Sequence, residues 1–417
     1  MIAEILSTGD EIRSGALVDS NSAYIAQMVE SAGGEVVRHS SVGDDRAKVT
    51  QILQEIGRRS DFAVVTGGLG PTADDITAVA AAEAAGVNLV LDQRALASLE
   101  YFFEKLKRPL TESNKKQAML PDGAECLHNP VGTAPGFHLK IGQCEFFFLP
   151  GVPYEMKQML ADQVIPRILK LGGSAISVRR VKTLSTFGLT ESATGEQLEG
   201  FESRFPDIKL GFQTIFPEIH VKLYAGGSDD KALQGQLDAA ARWIYGKLGN
   251  KILSDSGESL EKVVGNLLRK QNATLAVAES CTGGLVADTV TDVSGSSDYF
   301  IFGAVTYANE SKMKILGVAE KTLRLHGAVA EETAKEMASG VRQVSGATYG
   351  LATSGIAGPG GATDDKPVGT ICIGLATSDR VAARRFNFTF DSRRLNKRIF
   401  AATALELLRR ELMDIGR

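Results

Sequence analysis

The chain has 417 residues, 43% of them hydrophobic and 23% charged, with a formal net charge of −4. That length exceeds one ordinary core and points to two or three domains, while the mild acidity excludes a dedicated nucleic-acid binder, which carries a basic excess. No apolar run is long enough to span a bilayer, the start "MIAEILSTGDEI" lacks a signal pattern, and four scattered cysteines without CxxC suit a reducing cytoplasm. A cytoplasmic protein without membrane or nucleic-acid partners is therefore expected.

Up to about residue 170, strands and helices alternate. "IAEILSTG" is an apolar run ending at Gly9 and Asp10, and "NSAYIAQMVESAGG" has helical spacing with a glycine stop. "DFAVVTGGLG" is a second buried strand, followed by "PTADDITAVAAAEAAG", a helix with Pro71 early and Gly86 late. "CEFFFLPG" and "VPYEMKQMLADQVIPRIL" repeat the pair. This alternation predicts an α/β fold, a doubly wound parallel sheet with helices on both faces. Residues 171–252 open with "GGS" and read as a small β-α-β-β-α connecting module, its first strand "ISVRRVKTLST". From 253 to 417 the strands "TLAVAES", "FGAVTYA", "YGLATSG" and "GTICIGLAT" and the closing helix "LNKRIFAATALELLRREL" predict a second α/β layer fold.

"VVTGGLGPTADD" places Gly67, Gly68, Gly70 and Pro71 between a buried strand and a helix, where free N–H groups and the helix dipole favour an anion. It is not a dinucleotide fingerprint, since Pro71 interrupts the spacing and two carboxylates follow at once. Asp74 and Asp75 would repel a phosphate unless a divalent cation stood between them. The alternative is a capping box, with Thr72 as N-cap and Asp75 three residues on. Asp10 and Glu11 end the first strand, at the sheet edge where open α/β sheets bind ligands. "NPVGTAPG" (129–136) and "LPGVPYEM" (149–156) are turns by composition.

"AESCTGG" (278–284) sets Ser280, Cys281 and Thr282 in a row. Ser280 falls at a strand-to-helix turn, and the helix N-terminus beside it suits a developing oxyanion. Gly283 and Gly284 allow close backbone approach. A serine nucleophile needs a base. His326 is the one histidine in this stretch; Lys312, in "VTYANESKMK" after Tyr307, is the other candidate. A desolvated lysine can lose its proton near neutral pH, although most lysines are solvated. Cys281 competes as nucleophile, but a lone cysteine past a buried strand more often packs in the core. Thr282 caps the helix or donates to a ligand. "TSGIAGPGGATDDKPVGT" (353–370) reads as a loop that wraps a ligand with free N–H groups, or as a long turn.

Taken together, these motifs resemble the CinA family of competence/damage-inducible proteins. "TGDEIRSGALVDSN", "TGGLGPTADDIT", "NPVGTAPG" and "LPGVPYEM" look like its N-terminal domain, which is similar to the molybdopterin-binding fold. The resemblance implies a pyrophosphatase that splits ADP-ribose into AMP and ribose 5-phosphate with a divalent metal (Mg, Mn or Co). It assigns the substrate to Gly67, Gly68, Gly70, Thr72, Asn129, Gly132, Thr133, Pro150 and Gly151, and the metal to Asp10, Asp74 and Asp75. "AESCTGG", "VTYANESK" and "SGIAGPGGATDDKPVGT" look like the C-terminal domain, regarded as a nicotinamide mononucleotide (NMN) deamidase of the Ser/Lys type that needs no cofactor. The pattern implies Ser280 as nucleophile, Lys312 as base and Tyr307 nearby. Thr282, Gly283, Gly284, Ser354, Gly355, Gly358 and Gly360 would hold the substrate, with Arg398 at its phosphate. A homodimeric, bifunctional pyridine-nucleotide recycling hydrolase follows. Three departures stand out: Arg13 where the family more often has an apolar residue, Ala330 where it usually has Ser, and "FDSRRLNKR", which keeps only Asp391 of a Gly-Asp-Arg. A reading from another class is a nucleotide- or molybdopterin-binding scaffold with one degenerate site.

Overall fold

The computed structural model describes residues 1–172, 178–227 and 229–414. They form two compact units, Met1–Val181 with Ala225–Gln234, and Lys182–Tyr224 with Gly235–Arg417.

The first unit is built on a six-stranded sheet in the order Glu35–Val42, Ile2–Thr8, Phe62–Thr66, Cys144–Leu149, Gly136–Ile141, Glu125–Leu127. The first four strands run parallel and the last two join antiparallel. Every residue of "FAVVT" is buried, because both faces of this central strand are covered. Phe62 and Val64 pack with Ile25, Val29 and Met156; Ala63 and Val65 pack with Val49, Leu53 and Ala80 on the other face.

One helix differs from expectation. It begins at Thr77 and not near Pro71, and ends as expected at a left-handed Gly86. The missing turn is spent on a tight bend, in which Asp75 Oδ2 accepts from Thr72 N (2.8 Å) and Thr72 Oγ1 (2.5 Å). Thr72 and Asp75 therefore do bond to each other, but they stabilise a loop and cap no helix.

The middle of the sequence contributes a four-stranded sheet in the order Ile208–Ile215, Glu218–Gly227, Val178–Phe187, Ile252–Ser254. Helices Glu191–Gln197 and Asp230–Leu248 complete the expected β-α-β-β-α order. Trp243 meets Phe201 and Phe205 edge-on at 5.8 and 6.2 Å. Most of the predicted "GGS" opening and the first residues of "ISVRR" fall at 173–177, outside the described residues.

The second unit carries a five-stranded sheet, ordered Phe300–Val305, Leu275–Glu279, Tyr349–Gly355, Thr370–Ala376, Val381–Asn387. Its first three strands are parallel and the rest antiparallel. Helix Glu331–Ser345 covers one face, placing Met337, Ala338 and Val341 against Ala276, Ala278 and Ala352. It packs unusually close, since a Cβ at Gly350 or Gly374 would strike its backbone carbonyls. Helices Leu260–Lys270 and Arg393–Leu412 cover the other face through Val264, Leu268, Phe400 and Leu408. All four cysteines are free, and three are buried. Among the described residues no helix is long and apolar enough to cross a membrane.

Candidate active sites

In the first unit, Thr8, Thr66 and Leu149 end three adjacent parallel strands, and the chain leaves each into a loop at one sheet edge. The first strand has its sequence neighbours on opposite sides, so this edge holds a topological switch, where open sheets bind ligands. A cavity of about 410 Å³ lies there. Gly67, Gly68, Gly70, Thr133, Pro150 and Gly151 line it as expected, together with Asp74 and Asp75. Gly67 and Gly68 turn with φ of 105° and 64°, pressed against Thr8 and Thr77 where a side chain would collide.

Three expected contacts act from behind. Thr72 is held in the bend with Asp75. Asn129 Nδ2 donates to Ala134 O (2.9 Å) and Glu155 Oε2 (2.7 Å), joining the 129–136 and 149–156 loops. Gly132 lies directly on the Glu155 carboxylate, with no room for a Cβ.

The three carboxylates expected to hold a metal do not all share one cavity. Asp10 starts the short Asp10–Arg13 helix, pairs with Arg13 Nε at 3.0 Å, and lines an adjoining cavity with Arg13 and Lys48. Arg13, three residues on, draws it away. Glu11 and Asp44 line the main cavity in its place. Burial raises the Asp44 carboxyl above the usual range, and the charges of Asp10, Glu11 and Asp74 add to this. Carboxylates crowded in this way attract a cation. Yet no three His, Cys, Asp or Glu among the described residues form a ready metal cage. The lining therefore offers a hard ion one or two carboxylates, such as Asp44 and Asp74, and no complete shell.

Sequence reasoning passed over Asn21, Gln117 and Glu155, all lining the cavity and each more than nine-tenths buried. Asn21 Oδ1 and Gln117 Oε1 have no partner among the described residues, although buried carbonyl oxygens are normally hydrogen-bonded. Asn21 and Glu155 stood inside the quoted motifs, so the only available signal was a polar residue in a turn-rich run.

In the second unit, Ser280 directly follows the Leu275–Glu279 strand. Its N–H donates to Thr353 O (3.0 Å) on one neighbour, and Thr306 N–H donates to Glu279 O (2.8 Å) from the other. These bonds bring the end of the Phe300–Val305 strand beside the serine. Lys312, on helix Asn309–Leu316, is fully buried. Its Nζ lies 3.1 Å from Ser280 Oγ, 2.9 Å from Thr306 O and 3.0 Å from Tyr307 O. Burial pulls its ammonium below the usual lysine range.

Tyr307 joins the site through its backbone carbonyl. Its ring is 60% exposed, and its hydroxyl accepts from Arg393 Nη2 at 3.1 Å. Arg393 Nη1 also donates to Gly358 O (2.6 Å), tying the glycine-rich loop to this edge. One helical turn on, Lys397 Nζ comes to 3.5 Å from where a Cβ would stand on Gly283. Arg398 does not belong here: it donates to Phe216 O and stacks over that ring at 5.5 Å. Residues 393 and 397 share a helix face, and 398 is turned about 100° away.

Other expectations change as well. Thr282 is buried with its hydroxyl 2.7 Å from Thr353 Oγ1, so it neither caps a helix nor faces a ligand. Ser354 is buried and donates to Ala328 O (2.7 Å), and Gly355 packs beside Cys281 Sγ; both support the site from inside. Gly360 faces open space. Cys281 is 4% exposed, and burial pushes its thiol up to about 12. His326 pairs with Glu332 at 3.8 Å and makes no bond to Ser280. The helix N-terminus after the turn is already occupied: buried Glu279 accepts from Gly284 N (3.0 Å), Val286 N (3.0 Å) and Ala287 N (2.9 Å). Those N–H groups are not free for an oxyanion.

Residues 4–170 match the family described as "Probable molybdopterin binding domain", and residues 257–412 match "CinA C-terminal domain". The CinA-like protein of Desulfosudis oleivorans is 52% identical over 413 residues, covering 99% of this chain and 100% of the relative. The chain belongs to the CinA-like family. The CinA-like protein of Geobacter metallireducens is 43% identical over 414 residues, covering 99% of this chain and 100% of that one. The solved competence/damage inducible protein CihA of Agrobacterium tumefaciens is 34% identical, covering 38% of this chain and 94% of that chain, with a TM-score of 0.36. The fold is accordingly mixed α/β, with a molybdopterin-binding-like N-terminal domain and a CinA-type C-terminal domain.

Proposed function

We propose that the chain is a bifunctional hydrolase whose second unit deamidates NMN to nicotinate mononucleotide and ammonia. The supporting observation is the buried contact between Lys312 Nζ and Ser280 Oγ. Two of the three Nζ neighbours are carbonyls, which only accept. A neutral amine satisfies both with its two N–H bonds and keeps its lone pair for the Ser280 hydroxyl proton. Burial favours this neutral form.

Ser280 Oγ then attacks the carboxamide carbon while Lys312 takes the proton. The helix N-terminus is occupied by Glu279, so its N–H groups do not serve the oxyanion. Lys312 returns the proton to the leaving nitrogen, ammonia departs, and water releases the acid. Arg393 and Lys397 supply positive charge for the substrate phosphate at the rim.

The first unit, in this reading, splits ADP-ribose into AMP and ribose 5-phosphate. Its glycine-lined cavity and crowded carboxylates support a phosphate ligand accompanied by a divalent ion. When bound through Asp44 and Asp74, such an ion neutralises charge on the pyrophosphate.

The deciding experiment is nicotinate mononucleotide formation from NMN by the purified full-length protein and by Ser280→Ala. Turnover that disappears in Ser280→Ala supports the reading. Equal turnover in both removes the Ser/Lys assignment.

A further inference from the structure

The cavity of the first unit holds several carboxylates, and their surroundings differ. Asp19 accepts from Ser22 N (2.9 Å) and from the Ser22 and Ser7 hydroxyls (both 2.6 Å). Asp75 is taken up by Thr72. Asp44 accepts from Asp10 N (3.1 Å) and stands among the charges of Asp10, Glu11 and Asp74. Glu11 and Asp74 are exposed.

Glu155 differs from all of these. It is 7% exposed, near the start of helix Pro153–Met159, and it lines the cavity. Asn129 Nδ2 anchors one oxygen, Oε2, at 2.7 Å, and Gly132 packs against the whole carboxylate. Oε1 receives no amide donor among the described residues. The charge on Glu155, together with a hydrogen bond to its carboxylate, raises the neighbouring Tyr154 hydroxyl above the usual tyrosine range. The group is therefore an oriented carboxylate at the cavity wall, held by Asn129 and bonded by the exposed Tyr154 hydroxyl.

Resting on the pyrophosphatase reading of this unit, we infer that Glu155 is the general base that activates the attacking water. The step balances with water alone. The water oxygen bonds to one phosphorus, the bridging P–O bond breaks, and the other phosphate leaves as the second monoester. The water proton passes to the Glu155 carboxylate and from there to solvent. Asn129 is the positioning residue, because its amide sets the direction of the carboxylate. A buried carboxylate oriented by Asn129 suits this work better than Glu11 or Asp74, whose charges meet bulk water or a cation.

The test uses full-length protein with Mg²⁺ and ADP-ribose, comparing wild type, Glu155→Gln and Glu155→Asp. Glu155→Gln keeps an acceptor for Asn129 and removes only the basicity. The inference expects kcat to fall about 100-fold or more, as loss of a general base does, with ADP-ribose binding by calorimetry within about threefold of wild type. Glu155→Asp is expected to keep more kcat than Glu155→Gln. If Glu155→Gln retains kcat within about threefold, the inference is overturned while the pyrophosphatase reading stands. If both variants lose binding in step with activity, Glu155 is a loop brace, and the inference is again overturned. If wild type itself releases no AMP, the reading of the unit fails and the inference goes with it.

Discussion

At the scale of single residues, the proposed chemistry of the second unit rests on one proton on Lys312. Burial lowers its ammonium, so the neutral base is present above that lowered value and is lost as the pH falls through it. The rate of NMN deamidation is therefore expected to rise with pH along one limb and then level off below the ordinary lysine value of 10.5. A limb that instead tracks 10.5 would exclude a desolvated base. Lys312→Arg keeps a cation but cannot give up its proton, and should lower kcat by about 100-fold or more. Cys281 provides the contrast. With its thiol at about 12 and 4% exposure, it should ignore a thiol reagent in the native protein. Cys281→Ala should deamidate NMN within about threefold of wild type; a larger loss would reopen the choice of nucleophile.

Single elements explain what the sequence made legible and what it hid. Ser280 was readable because it directly follows a buried strand, and Lys312 because it lies in the helix after the adjacent parallel strand, which ends at the same edge. Arg393 was not, because helix phase depends on where a helix begins, and an error of one residue exchanges Lys397 for Arg398. The Thr72–Asp75 pair was equally ambiguous, since the same bond can cap a helix or close a loop. The role of Glu279 was hidden because nothing in "AES" says that a strand residue will bend forward to cap the following helix. Among the family departures, Ala330 has a visible effect. It is the N-cap of Glu331–Ser345 and makes no side-chain bond, whereas Ser392 caps Arg393–Leu412 through Leu395 N. Ala330→Ser should raise stability by about 1 kcal/mol, read as a shift in denaturant midpoint. No shift would mean that the hydroxyl finds no partner.

On the scale of the whole molecule, two sheets of similar plan carry two different candidate sites. Each has parallel strands that end at the candidate site and antiparallel strands that extend the sheet. The architecture was legible from the alternation of strands and helices, because a continuous apolar run such as "FAVVT" requires cover on both faces. What the two edges do differs in one respect that can be measured. The first collects carboxylates, and the second a lysine–serine pair. Removing divalent ions with EDTA should abolish AMP release from ADP-ribose and leave NMN deamidation unchanged within error. Loss of both activities would mean that the second site also needs an ion; loss of neither would remove the metal from the first.

Glu279 also fixes a length. Its carboxylate reaches forward to the N–H groups of Gly284, Val286 and Ala287, so it closes a ring of protein around Ser280. Within that ring a side chain can be exchanged if it fits, but a residue cannot be added or removed. One insertion between 280 and 284 would pull the helix off its anchor and turn the serine away from Lys312. In this segment the spacing is less free to change than the composition.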